Sequence, residues 1–458
     1  MKKLLLILVL LFVSNCVLAG ELLILHTSDV HGRISPIEYN NIKNSGGFSK
    51  RVEFVNSVRN TNKNVLLLDS GDYFQGSLYY RIYKGKISAK LLPYIKYDAI
   101  ALGNHEFDDG LKVLKRNIRK SKTQFISCNV HFQDRYLNKA VKPYILKEFD
   151  GEKYLIIGAT TPDLKNLSST NEVKITNPVD EIKYIIKTVP HDKVILVSHC
   201  GLDVDKDIAK NIPQIDLILG GHNHYFFPTP KYIGKTPIIQ DGEFGIRVGK
   251  IEFDKKLKHY TYQYITPDMK SSEKIDKVIH RIDKKLDTKR NKVLAKTKIT
   301  LIGEQNTIEH CQTNLGRLVL MSMIQDFPEY DVVMTNSGSI RINRNIKDKV
   351  TFADVLELLP FENSVVEVEI QGKYLKNILK HGQQTNRRYL QYHVKDGCTI
   401  DDNKCYKVVT NSYVASGKDG YENFKYGKII KVSKKTHVKL FCKLLEKMNL
   451  ITNDNIKF

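Results

Sequence analysis

The chain has 458 residues, a formal net charge of +22, 41% hydrophobic residues and 27% charged residues. This length and composition are typical of a globular protein with two or three domains. The lysines are spread along the whole chain, and no basic helix is interleaved with aromatic residues. The charge therefore favours a solvated lysine-rich surface over binding to a nucleic acid polymer, although a positive field would attract anionic substrates.

The N-terminal residues have the pattern of a signal peptide. Lys2 and Lys3 precede an apolar run over residues 4–13, and a small-residue cleavage site ends at Ala19. We assign residues 1–19 to this leader and expect an exported protein, periplasmic or secreted. The apolar run is too short for an ordinary membrane span and no other stretch approaches the required length, so we expect no membrane span. Cys16 leaves lipid attachment open.

Residues 20–267 alternate strand-like and helix-like segments. Short apolar runs at 22–25, 65–68, 99–102, 194–197 and 217–219 predict buried strands. Amphipathic stretches at 48–59, 110–121 and 178–188 predict helices between them. This alternation is typical of a layered α/β domain.

A second α/β domain is predicted over residues 297–458, joined to the first by a helix. Residues 271–296 are rich in lysine and aspartate, lack glycine and proline, and carry periodic Ile and Val. We therefore assign residues 268–296 to a single connecting helix. The second domain contains the turn Asn314-Leu315-Gly316 and a predicted helix from Leu318 to Met323.

A cluster of polar residues follows each of the five predicted strands. The clusters are Asp29-Val30-His31, Gly71-Asp72, Gly103-Asn104-His105-Glu106, Ser198-His199 and Gly220-Gly221-His222-Asn223-His224. Because they stand at strand C-termini, we expect them to converge on one sheet edge.

The residue types of these clusters suit two divalent metal ions. Asp72 is the natural bridge between the ions, because a carboxylate can bind both. Asp29 and His31 can reach one ion, Asn104 offers a neutral oxygen to the other, and His199, His222 and His224 complete the shells. A hydroxide held between the ions would be the nucleophile. Such donors suit zinc, manganese, iron or cobalt, and the sequence leaves the choice open.

His105 and Asp108 are candidates for proton transfer. His105 adjoins Asn104, so we expect its side chain to point away from that ligand, where it could protonate the leaving oxygen. Asp108 stands three residues further on and could hold the His105 ring in orientation.

These motifs together resemble the 5′-nucleotidase family of calcineurin-like metallophosphoesterases. The resemblance rests on Thr27-Ser28-Asp29-Val30-His31-Gly32, Gly71-Asp72, Gly103-Asn104-His105-Glu106-Phe107-Asp108 and Gly221-His222-Asn223-His224. It implies a β-sandwich metal domain flanked by helices and a long helix about which a C-terminal substrate domain rotates. It also implies one ion on Asp29, His31, Asp72 and His224, the other on Asp72, Asn104, His199 and His222, and a catalytic dyad of His105 and Asp108.

The resemblance extends to a nucleotide pocket in the second domain. It implies that Asn336 and Arg341, in Thr335-Asn336-Ser337-Gly338-Ser339-Ile340-Arg341, contact the nucleotide and its phosphate. Phe361 and Tyr413 would clamp the base between two aromatic faces, and Asp419 would bind the ribose.

Two segments depart from the family pattern. Family members carry one or two phosphate-binding arginines shortly before the turn at Asn314, whereas residues 307–313 of this chain contain none. Phosphate recognition would then rest on Arg341, the metals, and His310 or nearby lysines. The glycine-containing strand that usually lines the base pocket is replaced by Tyr392-His393-Val394-Lys395, which leaves base specificity open.

We therefore expect an exported dinuclear phosphohydrolase that removes the 5′-phosphate of nucleoside monophosphates. Hydrolysis of nucleotide sugars or of 2′,3′-cyclic nucleotides is the alternative within the family. A thiosulfohydrolase is disfavoured by the clamp aromatics and Asp419, and a non-catalytic nucleotide-binding surface protein is disfavoured because every metal ligand is retained. The sequence leaves the oligomeric state open.

Six cysteines follow the predicted cleavage site, and export permits disulfides. Cys398 and Cys405 flank a turn-rich segment and are the pair we expect to be bonded. Cys200 follows His199 directly, and we expect it to be a buried thiol rather than a ligand.

Overall fold

The computed structural model describes residues 22–39, 42–164, 173–254, 256–342, 344–361, 363–383 and 389–457. The predicted leader and Cys16 lie outside these residues. The chain divides into two compact units, Met1–Arg281 and Ile282–Phe458. In the described ranges, no helix is both long enough and apolar enough to cross a membrane.

The first unit alternates strands and helices, as predicted. Its described strands are β1 (Leu22–Thr27), β2 (Ile37–Tyr39), β3 (Ile42–Ser45), β4 (Val65–Asp69), β5 (Ala99–Ala101), β6 (Phe125–Ile126), β7 (Val130–Phe132), β8 (Val141–Lys142), β9 (Tyr144–Phe149), β10 (Glu152–Thr160), β11 (Val173–Ile175), β12 (Lys193–His199), β13 (Leu217–Gly220), β14 (Lys231–Ile233), β15 (Thr236–Ile239), β16 (Arg247–Phe253) and β17 (Leu257–Tyr264). Its described α-helices are Phe48–Thr61, Leu78–Tyr83, Lys86–Ile95, Leu111–Ser121, Arg135–Ala140, Pro178–Thr188 and Leu202–Asn211.

Two sheets form the centre of this unit. Seven of the described strands pair in the order β17-β16-β1-β4-β5-β6-β8, and six pair in the order β14-β15-β13-β12-β10-β9. Ile24 and Leu68 of the first sheet share one core with Val197 and Leu219 of the second, so the sheets pack face to face. The outer face of the second sheet packs on the helices Pro178–Thr188 and Leu202–Asn211. The layered α/β β-sandwich expected from the sequence is confirmed.

Burial on both faces explains why these strands are continuous apolar runs. Ile24 points into the sandwich, whereas Leu25 and its parallel partner Leu67 point to the opposite face, and all three side chains are fully buried. One expectation is wrong in detail. The five strands before the polar clusters do not share one sheet edge, because β1, β4 and β5 belong to one sheet and β12 and β13 to the other.

The second unit contains a smaller α/β arrangement. Its described strands are β18 (Val293–Thr297), β19 (Val332–Asn336), β20 (Lys349–Thr351), β21 (Ser364–Gln371), β22 (Leu390–Val394), β23 (Cys405–Asn411), β24 (Lys428–Thr436) and β25 (Leu450–Ile451). Its described α-helices are Gln305–Ile308, Asn314–Met323, Phe352–Leu358, Gly372–His381, Ser412–Ala415 and His437–Met448. Five of these strands pair in the order β22-β19-β23-β21-β24, and three pair in the order β20-β18-β25.

The predicted connecting helix is present but shorter than expected. It spans Glu273–Arg290, and the division between the two units falls inside it. We expected it to continue to Lys296, but Val293–Thr297 forms β18, which pairs with β20 and β25. Leu294 and Ala295 of this strand are buried in the core of the second unit, and this tertiary burial outweighs local helix propensity.

The predicted disulfide is absent, because all six cysteines of the described residues are free. Cys398 packs against the same core as Tyr406. Neighbouring side chains alternate along β23, so Cys405, next to Tyr406, points away from that core and is exposed. Cys200 is buried in the core between β12 and the helices, as expected.

Candidate metal centre and substrate pocket

The loops that carry the predicted metal ligands interlock through their backbones. The amide of Asp29 donates to Gly71 O at 3.0 Å, and that of His31 donates to Asp72 O at 2.9 Å. The amide of His222, from the other sheet, donates to Asp29 Oδ1 at 3.1 Å. These bonds bring the loops after β1, β4 and β13 to one place.

The structure gathers the predicted ligands into two groups. Asp29, His31 and His224 form the first, and Asp72, His199 and His222 form the second, with the donor atoms of each group within 4.8 Å of one another. Asn104 belongs with the second group, because its Oδ1 lies 3.2 Å from His199 Nε2. Asp72 Oδ2 lies 3.0 Å from His199 Nε2 and 4.0 Å from His31 Nε2, which places it between the groups.

The imidazole rings are oriented as metal ligands would be. The Nδ1 atoms of His31, His199 and His224 face Gln75 O at 2.9 Å, Ser70 O at 2.6 Å and Glu243 Oε2 at 2.5 Å. Because each acceptor takes the Nδ1 hydrogen, the Nε2 lone pair is directed into the group. His31 Nε2 and His224 Nε2 lie only 3.0 Å apart, a separation expected of two ligands on one ion. The residues present therefore fit a pair of divalent ions.

Burial and charge shift the pKa values of this cluster strongly. Burial raises the pKa of Asp29 to about 6. Burial would also raise the pKa of Asp72, but the charge and hydrogen bond of His199 outweigh it and hold this pKa well below its usual range. Burial lowers the pKa of His31 to about 4. Fully buried carboxylates at such short range gain from a cation between them.

The ligand loops adopt a backbone conformation that most residues avoid. Asp29, His31, Asp72, His222 and His224 have positive φ angles between 49° and 76°. For residues other than glycine this left-handed region costs energy and is concentrated at functional sites. The fold thus holds five of the seven predicted ligands in strained positions, which supports a role in binding.

Glu106 organises two of these loops and had no role in the sequence-based prediction. Its fully buried carboxylate accepts the backbone N–H groups of Gly103 and Asp72 on Oε2, and those of Tyr73 and Phe74 on Oε1. A Cβ on Gly103 would lie 2.1 Å from Asp72 Oδ1, so that position requires glycine. The motif that contains Glu106 was visible in the sequence, but three of its four partners are backbone groups of another loop.

The segment Gln240–Phe244 was missed entirely. Glu243 orients His224, the amide of Phe244 donates to Asp29 O at 2.8 Å, and the Phe244 ring lies 6.1 Å from that of His31. This segment follows strand β15 as a polar cluster, Gln240-Asp241-Gly242-Glu243. The rule that identified the other five clusters would have found it.

His105 and Asp108 are arranged for proton transfer. His105 Nδ1 lies 2.7 Å from Asp108 Oδ2, and the His105 amide donates to Asp72 Oδ1 at 2.8 Å. Burial lowers the pKa of His105, but the Asp108 hydrogen bond and the charge of Asp72 outweigh it and raise that pKa to about 9. The ring centroid lies 5.4 Å from that of His31, so the His105 imidazole stands next to the first ligand group.

The five predicted substrate residues line one cavity of about 180 Å³ in the second unit. Asn336, Arg341, Phe361, Tyr413 and Asp419 all contribute to its wall. Asp419 accepts from Asn336 Nδ2 at 2.8 Å and from the Tyr413 hydroxyl at 3.0 Å. Phe361 and Tyr413 are 45% and 41% exposed, which is unusual for large aromatic side chains and leaves their faces accessible.

The charge of this cavity comes from two side chains. Of the described residues in its lining, only Arg341 is positive and only Asp419 is negative. Arg341 Nε donates to Gly338 O at 2.7 Å, which fixes the guanidinium and leaves its Nη atoms for a ligand. His310, considered as a further phosphate contact, is outside this lining, and its Nδ1 lies 2.7 Å from Asn306 O.

Comparison with known proteins gives matches along most of the chain. The family model of the calcineurin-like phosphoesterases matches residues 22–226, and that of the 5′-nucleotidase C-terminal domain matches residues 293–426. The chain is 28% identical to the 5′-nucleotidase of Homo sapiens, covering 89% of this chain and 85% of that protein. It is 26% identical to the trifunctional nucleotide phosphoesterase protein YfkN of Bacillus subtilis, covering 88% of this chain but spanning only 32% of that relative.

A solved structure agrees with these matches. The 5′-nucleotidase precursor from Thermus thermophilus superposes with a TM-score of 0.68 at 26% identity. The superposition covers 94% of this chain and 97% of that one.

Proposed function

The chain belongs to the family that joins a calcineurin-like phosphoesterase domain to a 5′-nucleotidase C-terminal domain, a family of metal-dependent phosphoester hydrolases, and from this we propose that it removes the 5′-phosphate of nucleoside monophosphates. The proposal includes two divalent ions as cofactors and a nucleotide as substrate.

The convergence of the metal-ligand groups is the observation that carries the proposal. Seven donor residues from the carboxyl ends of five strands meet in two groups with Asp72 between them. Ions bound there would supply positive charge to the phosphoryl oxygens and lower the pKa of an attacking water. We assign Asp29, His31, Asp72 and His224 to one ion and Asp72, Asn104, His199 and His222 to the other.

His105 and Asp108 would carry out the proton transfer to the leaving group. The Asp108 hydrogen bond and the charge of Asp72 outweigh burial and raise the pKa of His105 to about 9, which favours the protonated ring. We propose that Nε2, the ring nitrogen not held by Asp108, stabilises charge on the phosphoryl group and gives a proton to the leaving oxygen. Asp108 keeps the ring in the orientation that this transfer requires.

The cavity of the second unit supplies recognition of the nucleoside. Phe361 and Tyr413 offer two accessible aromatic faces for a base, and Asp419 can accept hydrogen bonds from ribose hydroxyls. Asn336 holds Asp419 in place through a 2.8 Å bond. Arg341 offers its free Nη atoms to phosphate oxygens.

The single cation of this cavity favours a second candidate. A 2′,3′-cyclic nucleotide carries one negative charge at its phosphodiester, whereas a 5′-monophosphate carries close to two at neutral pH. With only Arg341 positive among the described lining residues, the less charged ester needs less compensation. A nucleotide sugar also carries only one negative charge on each phosphorus, although its two phosphates bring its total charge close to that of a 5′-monophosphate.

Phosphate release by the purified protein tests the proposal. The protein is reconstituted with manganese or zinc and assayed with AMP, UMP, a nucleotide sugar, a 2′,3′-cyclic nucleotide and p-nitrophenyl phosphate, with His105→Ala as the control for contaminating phosphatase. Preference for the monophosphates supports the proposal, and preference for the cyclic nucleotide or nucleotide sugar supports the second candidate. Activity on the aryl phosphate alone would contradict the assignment of the cavity.

We also propose that the protein is exported to the periplasm or secreted, on the pattern of residues 1–19. The N-terminal sequence of the protein recovered from its native host tests this. A mature chain that begins at Gly20 is expected, and retention of residues 1–19 would contradict export by cleavage.

A further inference from the structure

A buried chain of hydrogen bonds lies behind the second metal-ligand group, Asp72, His199 and His222. Asp241 Oδ1 accepts the Tyr260 hydroxyl at 2.7 Å, and Asp241 Oδ2 lies 2.5 Å from His26 Nδ1. His26 Nε2 in turn lies 2.8 Å from Ser70 Oγ. His26 and Ser70 are 0% exposed and Asp241 is 2% exposed. His26, Ser70 and Asp241 come from three separate parts of the polypeptide and meet out of contact with water. Polar groups buried in this way are stable only when they are hydrogen-bonded to one another.

Counting hydrogens fixes the direction of each bond. The Ser70 hydroxyl has one hydrogen and donates it to Leu219 O at 2.8 Å. His26 Nε2 must then carry the hydrogen that Ser70 Oγ accepts. One further proton lies between His26 Nδ1 and Asp241 Oδ2, so the pair is neutral as a whole and both ring nitrogens are engaged. Asp241 thereby holds the His26 ring in the orientation in which Nε2 gives its hydrogen to Ser70.

Ser70 links this series of hydrogen bonds to the predicted metal ligand His199. Its backbone carbonyl accepts the His199 Nδ1 hydrogen at 2.6 Å. That bond directs His199 Nε2 toward Asp72 Oδ2 at 3.0 Å and Asn104 Oδ1 at 3.2 Å. The connectivity Asp241–His26–Ser70 matches that of a nucleophilic triad, but Ser70 is fully buried and gives its hydrogen to a carbonyl, so it cannot attack a substrate.

We propose that Asp241 is a positioning residue which, through His26 and Ser70, holds His199 in the orientation required of a metal ligand. The inference rests on the proposed metal-dependent function. It applies to the second group alone, because His31 and His224 of the first group are oriented by Gln75 and Glu243 instead. Removing the Asp241 carboxylate should therefore weaken one metal site and spare the other, which general destabilisation would not do.

Cobalt(II) titration of the full-length protein, followed by visible absorption and by the number of bound ions, tests the inference. The wild type is expected to bind two ions. Asp241→Ala, which leaves no group to hold His26 Nδ1, should weaken one of them by about tenfold. This is the lower end of the effect of losing a direct partner of a metal ligand, because two residues stand between Asp241 and His199. The other ion should keep its affinity within about twofold of wild type. Thr236→Val is the control, because it removes a buried hydrogen bond to Ile215 O that leads to no predicted ligand.

Ser70→Ala provides a second test if Asp241→Ala does not fold. It keeps the carbonyl that faces His199 but removes the hydroxyl held by His26, so the same site-selective loss is expected. Equal weakening of both sites, or an unchanged second site, in whichever of these variants folds would overturn the inference while leaving the proposed function intact. Failure of the wild type to bind cobalt, manganese or zinc would overturn both the inference and the metal assignment.

Discussion

The Glu106 carboxylate permits a quantitative test of how the metal-ligand loops are held. Its Oε2 accepts the amides of Gly103 at 2.8 Å and Asp72 at 2.9 Å, and its Oε1 accepts those of Tyr73 at 2.8 Å and Phe74 at 3.2 Å. Glu106→Gln keeps the shape of the side chain. However, an amide has one acceptor oxygen, so two of the four N–H groups would face an NH₂ group instead.

The structure sets the size of the expected effect. Leaving a buried donor without a partner costs about 1–3 kcal/mol, so two such donors destabilise the first unit by about 4 kcal/mol. For a unit of this size each kcal/mol lowers the unfolding temperature by about 2–4 °C, which gives a fall of about 8–16 °C. The loops that carry Asp72 and Asn104 would lose their common support, so we also expect weaker metal binding.

Differential scanning calorimetry of the metal-free protein measures this change without contribution from bound ions. Glu148→Gln is the matched control, since Glu148 is exposed in strand β9 and its unfolding temperature should stay within about 1 °C of wild type. A fall of less than about 2 °C for Glu106→Gln would refute the view that this carboxylate organises the two loops.

Three further predictions concern proton transfer, base recognition and acid stability. His105→Ala should lower kcat by about 100- to 10,000-fold through loss of the proton donor while metal content by elemental analysis is unchanged, and loss of metal would contradict its placement outside the ligand set. Phe361→Ala should raise KM for AMP by about tenfold through loss of stacking and leave KM for p-nitrophenyl phosphate nearly unchanged, whereas equal effects would remove the base-clamp assignment. Burial lowers the pKa of His437 from 6.5 to about 4, so the unfolded chain takes up the proton first as the pH falls. The His437 contribution to the free energy of unfolding is complete above pH 6.5, and about 3 kcal/mol of it is lost when the pH reaches 4. In urea titrations of the second unit, His437→Gln should lose less stability over this interval than the wild type, and parallel declines would show that other groups dominate.

Local sequence patterns predicted much of the fold and identified the candidate metal ligands. The run Val65-Leu66-Leu67-Leu68 is recognisable as a strand because burial on both faces demands apolar residues at every position. Asp72 follows it as a polar residue at a strand end, where ligands of α/β sheets are found. The strand and the candidate ligand can therefore both be recognised within a few consecutive residues.

Local patterns failed where a distant partner decides the outcome. Residues 293–296 continue the composition of the connecting helix, yet they form a strand because β20 and β25 are available to pair. Cys398 and Cys405 are close in sequence, but the alternation of β23 turns Cys405 away from the core that Cys398 contacts. Neither the strands that pair with β18 nor the direction of the Cys405 side chain can be predicted from the local sequence alone.

The sequence by itself determined which residue types are present at the strand ends, and hence the chemistry of the site: imidazoles, carboxylates and one amide suited to divalent ions. Only the tertiary structure decided how these groups are held. It placed the candidate ligands at the ends of strands from two sheets, assigned Glu106 to three amides of the loop that carries Asp72, and joined His26 to Asp241 across 215 residues. The physical reason is that ligand identity follows from local side-chain chemistry, whereas orientation depends on hydrogen bonds whose partners meet only when the two sheets pack.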